Sequence, residues 1–307
     1  MSVTDASPRR RRVPRRRIVM GEINIVSHPH TIDLYIDAFK ALHQHRAQAQ
    51  YHGHRYIEIG NCYDLEDIRI PNGLAGRFFV FSRVNFDDPW LNMLRNKEAT
   101  DAELEQIKIP PHLVPEFRQF RFIFDVRKHR LYYEKYSSGG HHLSPQAVRQ
   151  SLERLLHVPA LAGMFDEIHA HTVADKEAVD RILGLTKLRR LFMRLYRPNP
   201  DDAEFEAEIL QELDEQGVSV VERTLIKAPG QPKIIANALT RQLAHLAARI
   251  GYVVGWGKDE QGAPVTVDTE DHPVEHNVVF EATADPVDKM IDYIAEKNAK
   301  ESDDKHE

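Results

Sequence analysis

The stretch from Lys187 to Arg197 constrains the fold more than any other. Leu191, Met193 and Leu195 alternate there with Arg190, Phe192, Arg194 and Tyr196. Side chains alternate across a strand, so the first set predicts a buried face and the second an open one. The open face mixes cations with rings, the chemistry that a polyanion with stackable bases prefers. A strand at Glu167 to Val173 precedes it, joined by a helix that Asp175 caps and Gly184 stops. After it comes Arg197-Pro198-Asn199-Pro200-Asp201-Asp202. Asn199 is expected to cap a further helix, with Pro200 in its first turn and both aspartates at the positive end of its dipole. Phe205, Ile209 and Leu213 then recur every four residues, and Val218 to Lys227 reads as the next strand. This β-α-β-α-β order is compatible with a ferredoxin-like half in the C-terminal part.

Upstream, strands are expected at Ile18 to Val26, Tyr56 to Cys62 and Arg77 to Val84, and a hairpin at Arg118 to Ser137. Ser137-Ser138-Gly139-Gly140 breaks the pattern and serves as the expected domain boundary. The chain then divides into a β-rich α+β domain at 18–138 and a second α+β domain at 139–299. A basic arm at 1–17 is expected to be disordered, and a tail at 300–307 to fray. Strands and helices alternate irregularly with hairpins among them. That pattern predicts an α+β fold with mixed, mostly antiparallel sheets and packed helices.

Charge narrows the function. The chain of 307 residues has a formal net charge of −6. Seven arginines and one acid give residues 1–17 a charge of +6, so the rest carries −12. An acidic body with a basic arm restricts nucleic-acid contacts to local patches. A single cysteine, Cys62, excludes an internal disulfide and a multi-cysteine zinc site. No apolar run reaches the roughly 20 residues that span a bilayer, and no secretory core follows the arginines. A cytoplasmic protein without a membrane partner is expected.

Three groups of residues are candidate nucleic-acid contacts. The arm offers Arg9, Arg10, Arg11, Arg12, Arg15, Arg16 and Arg17. The strand offers Arg190, Phe192, Arg194 and Tyr196. A helix near 234–250 offers Arg241, His245 and Arg249, spaced by four opposite its leucine stripe. No catalytic residue, metal ligand or cofactor site is assigned. Glu167, His169 and His171 alternate on one strand face and would suit zinc or iron, but no further ligand follows at a recognised spacing. Solvent-facing strand residues are the preferred explanation of that row. Asp87-Asp88 and Asp201-Asp202 invite a nuclease reading, yet Glu222 and Lys227 lie an odd number apart, on opposite strand faces. Gly255-Trp256-Gly257 lacks the helix that a phosphate loop needs, and its glycines are expected to bend a hairpin strand.

From Leu188 to Asp202, Leu-Arg-Arg-Leu-Phe-Met-Arg-Leu-Tyr-Arg-Pro-Asn-Pro-Asp-Asp, the chain resembles a bacterial family of unknown function associated with phage and mobile elements. More distantly, the order of elements from Phe122 to Ile294 is similar to that of the phage-exclusion protein RexA. The likeness implies a DNA-binding, dimeric, non-enzymatic component. The expectation is therefore a nucleic-acid-binding protein, of DNA or RNA, in phage defence or a mobile element, forming a homodimer. Two other readings stay open at this point: a metal-dependent, nuclease-like enzyme, and a protein-binding module that uses its acidic surface.

Overall fold

Strand β1 (Arg15–His28) organises the molecule. In the computed structural model, which describes residues 14–199 and 204–303, β1 pairs with three strands at once. Along Arg15 to Gly21 it meets β14 (Glu275–Glu281), and along Ile23 to His28 it meets β9 (Glu167–Thr172). Along Met20 to Asn24 it meets β8 (Arg130–Glu134). The sheet then runs through β7 (Arg118–Asp125), β4 (Leu74–Ser82), β3 (Arg55–Asp64) and β2 (Gln48–His52), every pairing antiparallel.

Both faces of this sheet are covered. Helices α1 (Ile32–Gln44) and α3 (Pro145–Leu156) bury one face over Ile23, Ile25, Phe78, Phe122 and Phe124. Helix α7 (Pro286–Asp303) buries part of the other over Ile18, Met20, Ile123 and Tyr132. Double cover explains why β1 is buried continuously from Met20 to His28, Glu22 and Asn24 included, rather than alternately. Between β4 and β7 the chain makes a long excursion that holds only a small hairpin, β5 (Leu91–Asn92) with β6 (Lys97–Glu98), and the short helix α2 (Asp101–Leu104).

The second sheet has the order β11 (Val220–Ile226), β10 (Arg190–Tyr196), β12 (Gly251–Lys258), β13 (Pro264–Asp268), again antiparallel. Helices α4 (Lys176–Gly184) and α6 (Ala238–Ile250) bury Leu191, Met193 and Leu195, as the alternation of β10 predicts. Helix α5 (Glu204–Gln216) adds the buried Leu213 and the partly buried Phe205 and Ile209. The fold is α+β with antiparallel sheets.

Several expectations change. The β-α-β-α-β order does not close into one sheet, because β9 leaves to pair with β1 while β10 and β11 pair directly. No ferredoxin-like half forms from it. Arg15, Arg16 and Arg17 belong to β1 opposite Glu281, Phe280 and Val279, so the strand begins inside the segment expected to be disordered. Arg9 to Arg12 lie outside the described residues. The first sheet takes β9 and β14 from beyond Ser137–Gly140, so it crosses the expected boundary. Helix α7 continues to Asp303, with Lys297 bonded to Glu22 at 3.3 Å and Glu301 at 2.9 Å, past the point where fraying was expected.

Asn199 has a different job from the one its neighbours suggest. It is almost fully buried. Its Oδ1 accepts from the Ser27 amide at 3.2 Å and the Tyr35 hydroxyl at 3.4 Å, and its Nδ2 donates to the Ile25 carbonyl at 3.1 Å. The side chain thus ties the end of β10 to β1 and α1. Pro200, Asp201 and Asp202, the expected helix start, lie outside the described residues.

Candidate functional site

Cross-strand partners in an antiparallel sheet share a face, so the register of the second sheet states what lies beside each open-face residue of β10. Arg190 stands between Trp256 on β12 and Ile226 on β11. Phe192 stands between Val254 and Thr224, and Arg194 between Tyr252 and Glu222. The Arg190 guanidinium lies 4.9 Å from the centre of the Trp256 ring, and that of Arg194 5.2 Å from Tyr196. Both distances fall in the cation–π range. Phe192 and Tyr252 meet at 5.6 Å between ring centres. Arg194 is held across the strands by Glu222 at 3.5 Å. The result is a sheet face of four rings and two guanidiniums, with Arg190, Thr224 and Ile226 exposed and the rings half-buried.

Glycines on the opposite face make this arrangement possible. A Cβ on Gly255 would stand 2.5 Å from Ile182 of α4, and one on Gly257 would stand 2.8 Å from the Lys187 carbonyl oxygen. Gly255 and Gly257 therefore serve close packing of α4 and the chain after it, rather than a bend in the strand. Trp256, between them, is left on the open face.

One end of the face is closed by β9 and α3. Tyr196 packs 4.6 Å from the His169 ring and 4.5 Å from the His171 ring. Two separate sequence candidates, the basic strand face and the Glu167–His169–His171 row, thus meet. His169 bridges two carboxylates: Nδ1 to Glu153 at 2.8 Å and Nε2 to Glu167 at 3.2 Å. Glu153 also accepts from the Ala170 amide at 2.7 Å. Burial is the largest single influence and would lower the His169 pKa and raise that of Glu153; the hydrogen bonds and charges of Glu153 and Glu167 together outweigh it at His169, and those of His169 with the Ala170 amide outweigh it at Glu153, so the imidazole is raised and the carboxyl lowered. His171 is buried rather than solvent-facing. Burial foremost, then the neighbouring His169, brings its pKa down to about 3, which leaves it a neutral ring at pH 7.

This cluster does not resemble a metal centre. Both His169 nitrogens are already committed to carboxylates, and no group of three His, Cys, Asp or Glu among the described residues is placed to hold a metal ion. Burial pushes the Cys62 thiol up to about 12, so it stays protonated and weakly nucleophilic at neutral pH.

The remaining candidates do not join the sheet face. Helix α6 packs on the buried side of the second sheet, so Arg241, His245 and Arg249 point away from the ring-bearing side. His245 lies 3.8 Å from Asp180, and Arg249 is held at 2.6 Å by the buried Glu206. Arg249 thereby pins α5 to α6. Arg15 to Arg17 stand at the far end of β1 from its contact with β9, and Arg17 hydrogen-bonds Asn277. Sequence reading missed Tyr252 and Trp256. Their spacing with Val254 carried the signal, but the flanking glycines suggested a bend. Glu153 gave no local signal, since it reaches His169 from a separate helix.

Among the described residues no helix is long and apolar enough to cross a membrane. Residues 16–296 match a family described as a domain of unknown function, DUF4747. No curated protein matches the chain.

Proposed function

The chain belongs to the DUF4747 family, whose description names no activity, and on its own geometry we propose that it binds single-stranded nucleic acid across the open face of the second sheet. The observation that carries this reading is the register that brings Phe192, Tyr196, Tyr252 and Trp256 onto one uncovered face with Arg190 and Arg194. Rings on an open sheet face offer stacking surfaces to unpaired bases, and stacking is worth about 1–3 kcal/mol per base. The guanidiniums flank the rings where phosphates of a strand laid along β10 would pass. Glu222 offsets one of those charges, so stacking supplies more of the affinity than charge does. Duplex DNA, whose bases are already stacked, is the weaker ligand. The likeness of Leu188 to Asp202 to a phage-associated family supports a role for this binding in phage defence or a mobile element, in the bacterial cytoplasm, and no catalytic step is assigned to it.

The test is a titration of full-length protein with fluorescent single-stranded and duplex oligonucleotides of DNA and RNA at several salt concentrations. With two phosphate contacts on a single strand, the slope of log K against log salt is expected near about −1.4, steeper if the arginine arm joins. Trp256→Ala and Phe192→Ala are each expected to weaken single-strand binding about tenfold or more, with smaller effects on duplex. Unchanged single-strand affinity in both variants, with the fold confirmed by circular dichroism, would remove this face from the reading.

A further inference from the structure

A cavity of about 720 Å³ lies on the first sheet, well apart from the second-sheet face, beneath the excursion between β4 and β7. Small-molecule sites span roughly 300–1,000 Å³. Its floor is the outer face of β3 and β4, where Glu58, Phe79 and Phe81 point away from the helix-covered core. Its roof is the excursion itself, anchored where Phe117 meets Phe79 edge-on at 5.0 Å. The roof turns large apolar side chains inward without covering them: Leu113 is 55% exposed and Phe86 38%. A half-open apolar chamber of this kind gains by taking up an apolar body.

The polar groups at its rim state the charge of that body. Glu58 is the one acid among the lining residues, is almost fully buried, and is already satisfied by the Gln48 amide at 2.7 Å and Arg46 at 3.7 Å. Arg46 is nonetheless largely exposed. Arg83 meets the Gln48 amide oxygen at 2.5 Å and lies over the Tyr56 ring at 4.9 Å, rather than pairing with a carboxylate. Two guanidiniums therefore stand on the same side of the chamber as one carboxylate, Arg46 beside it and Arg83 linked to it through Gln48, which leaves the lining net positive. We propose that this cavity binds a small amphiphilic organic anion: an apolar chain or ring seated between the phenylalanines, with a carboxylate or sulfonate held by Arg83 and Arg46. Glu58, through Gln48 and Arg46, acts as the positioning group for both cations.

Full-length protein titrated with 8-anilinonaphthalene-1-sulfonate tests this. The dye is expected to bind with a stoichiometry of one and to be displaced by dodecanoate below its micelle concentration. Dodecyltrimethylammonium, equal in chain length and opposite in charge, is expected to displace it at least about tenfold less well, the difference of one charge-assisted contact. The double variant Arg46→Gln/Arg83→Gln, at exposed positions where folding should persist, is expected to lose about tenfold in dodecanoate affinity and nothing for the cation. Phe86→Ala should weaken both amphiphiles. Equal displacement by the two amphiphiles, or unchanged dodecanoate affinity in the double variant, would show a merely greasy surface and overturn the proposal. Co-sedimentation with phosphatidylglycerol vesicles without displacement of the dye by dodecanoate would assign the surface to a membrane and overturn it as well.

Discussion

Glu22 is ionised in the interior of the first sheet because two cations and an imidazole reach it. Arg130 lies at 2.9 Å, Lys297 of α7 at 3.3 Å, and His276 Nε2 at 2.7 Å. Burial on its own would raise the Glu22 pKa; the three partners outweigh it and bring it from 4.5 to about 2. The folded value lies below the unfolded one, so as pH falls the unfolded chain takes up the proton first. The stabilisation is complete above about pH 4.5 and is lost between there and about pH 2. His171 acts in the same direction from a different cause. It is buried neutral, so the unfolded chain gains protons from about pH 6.5 downward while the folded one waits until about 3. His169 acts in the opposite direction: its raised pKa contributes stability below about 6.5 that is lost as pH rises through the folded value. Urea unfolding at pH 7, 5 and 3 separates these. Glu22→Gln is expected to cost about 3–5 kcal/mol at pH 7, since it leaves Arg130 and Lys297 facing a neutral amide. His171→Gln is expected to flatten the loss between pH 6.5 and 3, where wild type falls by up to about 1.4 kcal/mol per pH unit on this account. A wild-type curve flat across that interval would contradict the buried neutral imidazole.

At the scale of elements, β10 shows how far local pattern reaches. Its alternation predicted the face that α4 and α6 bury, and the structure keeps Leu191, Met193 and Leu195 there at 2% exposure or less. Met193→Leu should cost under about 1.5 kcal/mol, as volume-conserving changes do, while Met193→Asp should unfold the second sheet. The open face was half legible. Arg190 to Tyr196 could be read along one strand, but Trp256 and Tyr252 join them only through pairing with β12, a contact across more than fifty residues that period alone does not specify. Asn199 failed for a related reason. Locally it has the chemistry of a helix cap, and its real partners, Ser27, Ile25 and Tyr35, lie more than 160 residues away. Asn199→Ala takes the side-chain acceptor from the buried Ser27 amide and one of several partners from the Tyr35 hydroxyl and the Ile25 carbonyl, which still meet each other at 3.3 Å. A loss of about 2–3 kcal/mol is expected by chemical denaturation. A loss under about 0.5 kcal/mol would mean that the link from β10 to β1 carries little of the fold.

For the whole molecule, the question is whether the two sheets behave as one. The break at Ser137–Gly140 reads as a linker because serine and glycine favour turns. Sequence pattern does not reveal that β14, from the far end of the chain, returns to β1, or that β9 crosses back to it. Three kinds of contact run from β1 to the second sheet. Val26 lies in the apolar cluster of α4, α6 and β10. The Asn24 amide donates to the Arg249 carbonyl at 3.4 Å, and Ala174, just past β9, donates its amide to Ala248 at 3.1 Å. Asn199 adds the third link. Separating the sheets would expose Val26 and Ala174 and strip buried polar groups of their partners, which costs more than two independent domains with a polar interface would pay. Native-state hydrogen exchange across a urea series can measure this. Amides at the centre of β4 and β7 in the first sheet, and of β10 and β12 in the second, are expected to converge on one opening free energy with one urea dependence. A lower free energy with a smaller urea dependence for β10 and β12, while β4 and β7 stay protected, would show that the second sheet opens alone. In that case the chain is two units joined at β1, and the closed end of the ring-bearing face, where Tyr196 meets His169 and His171, is the seam along which they part.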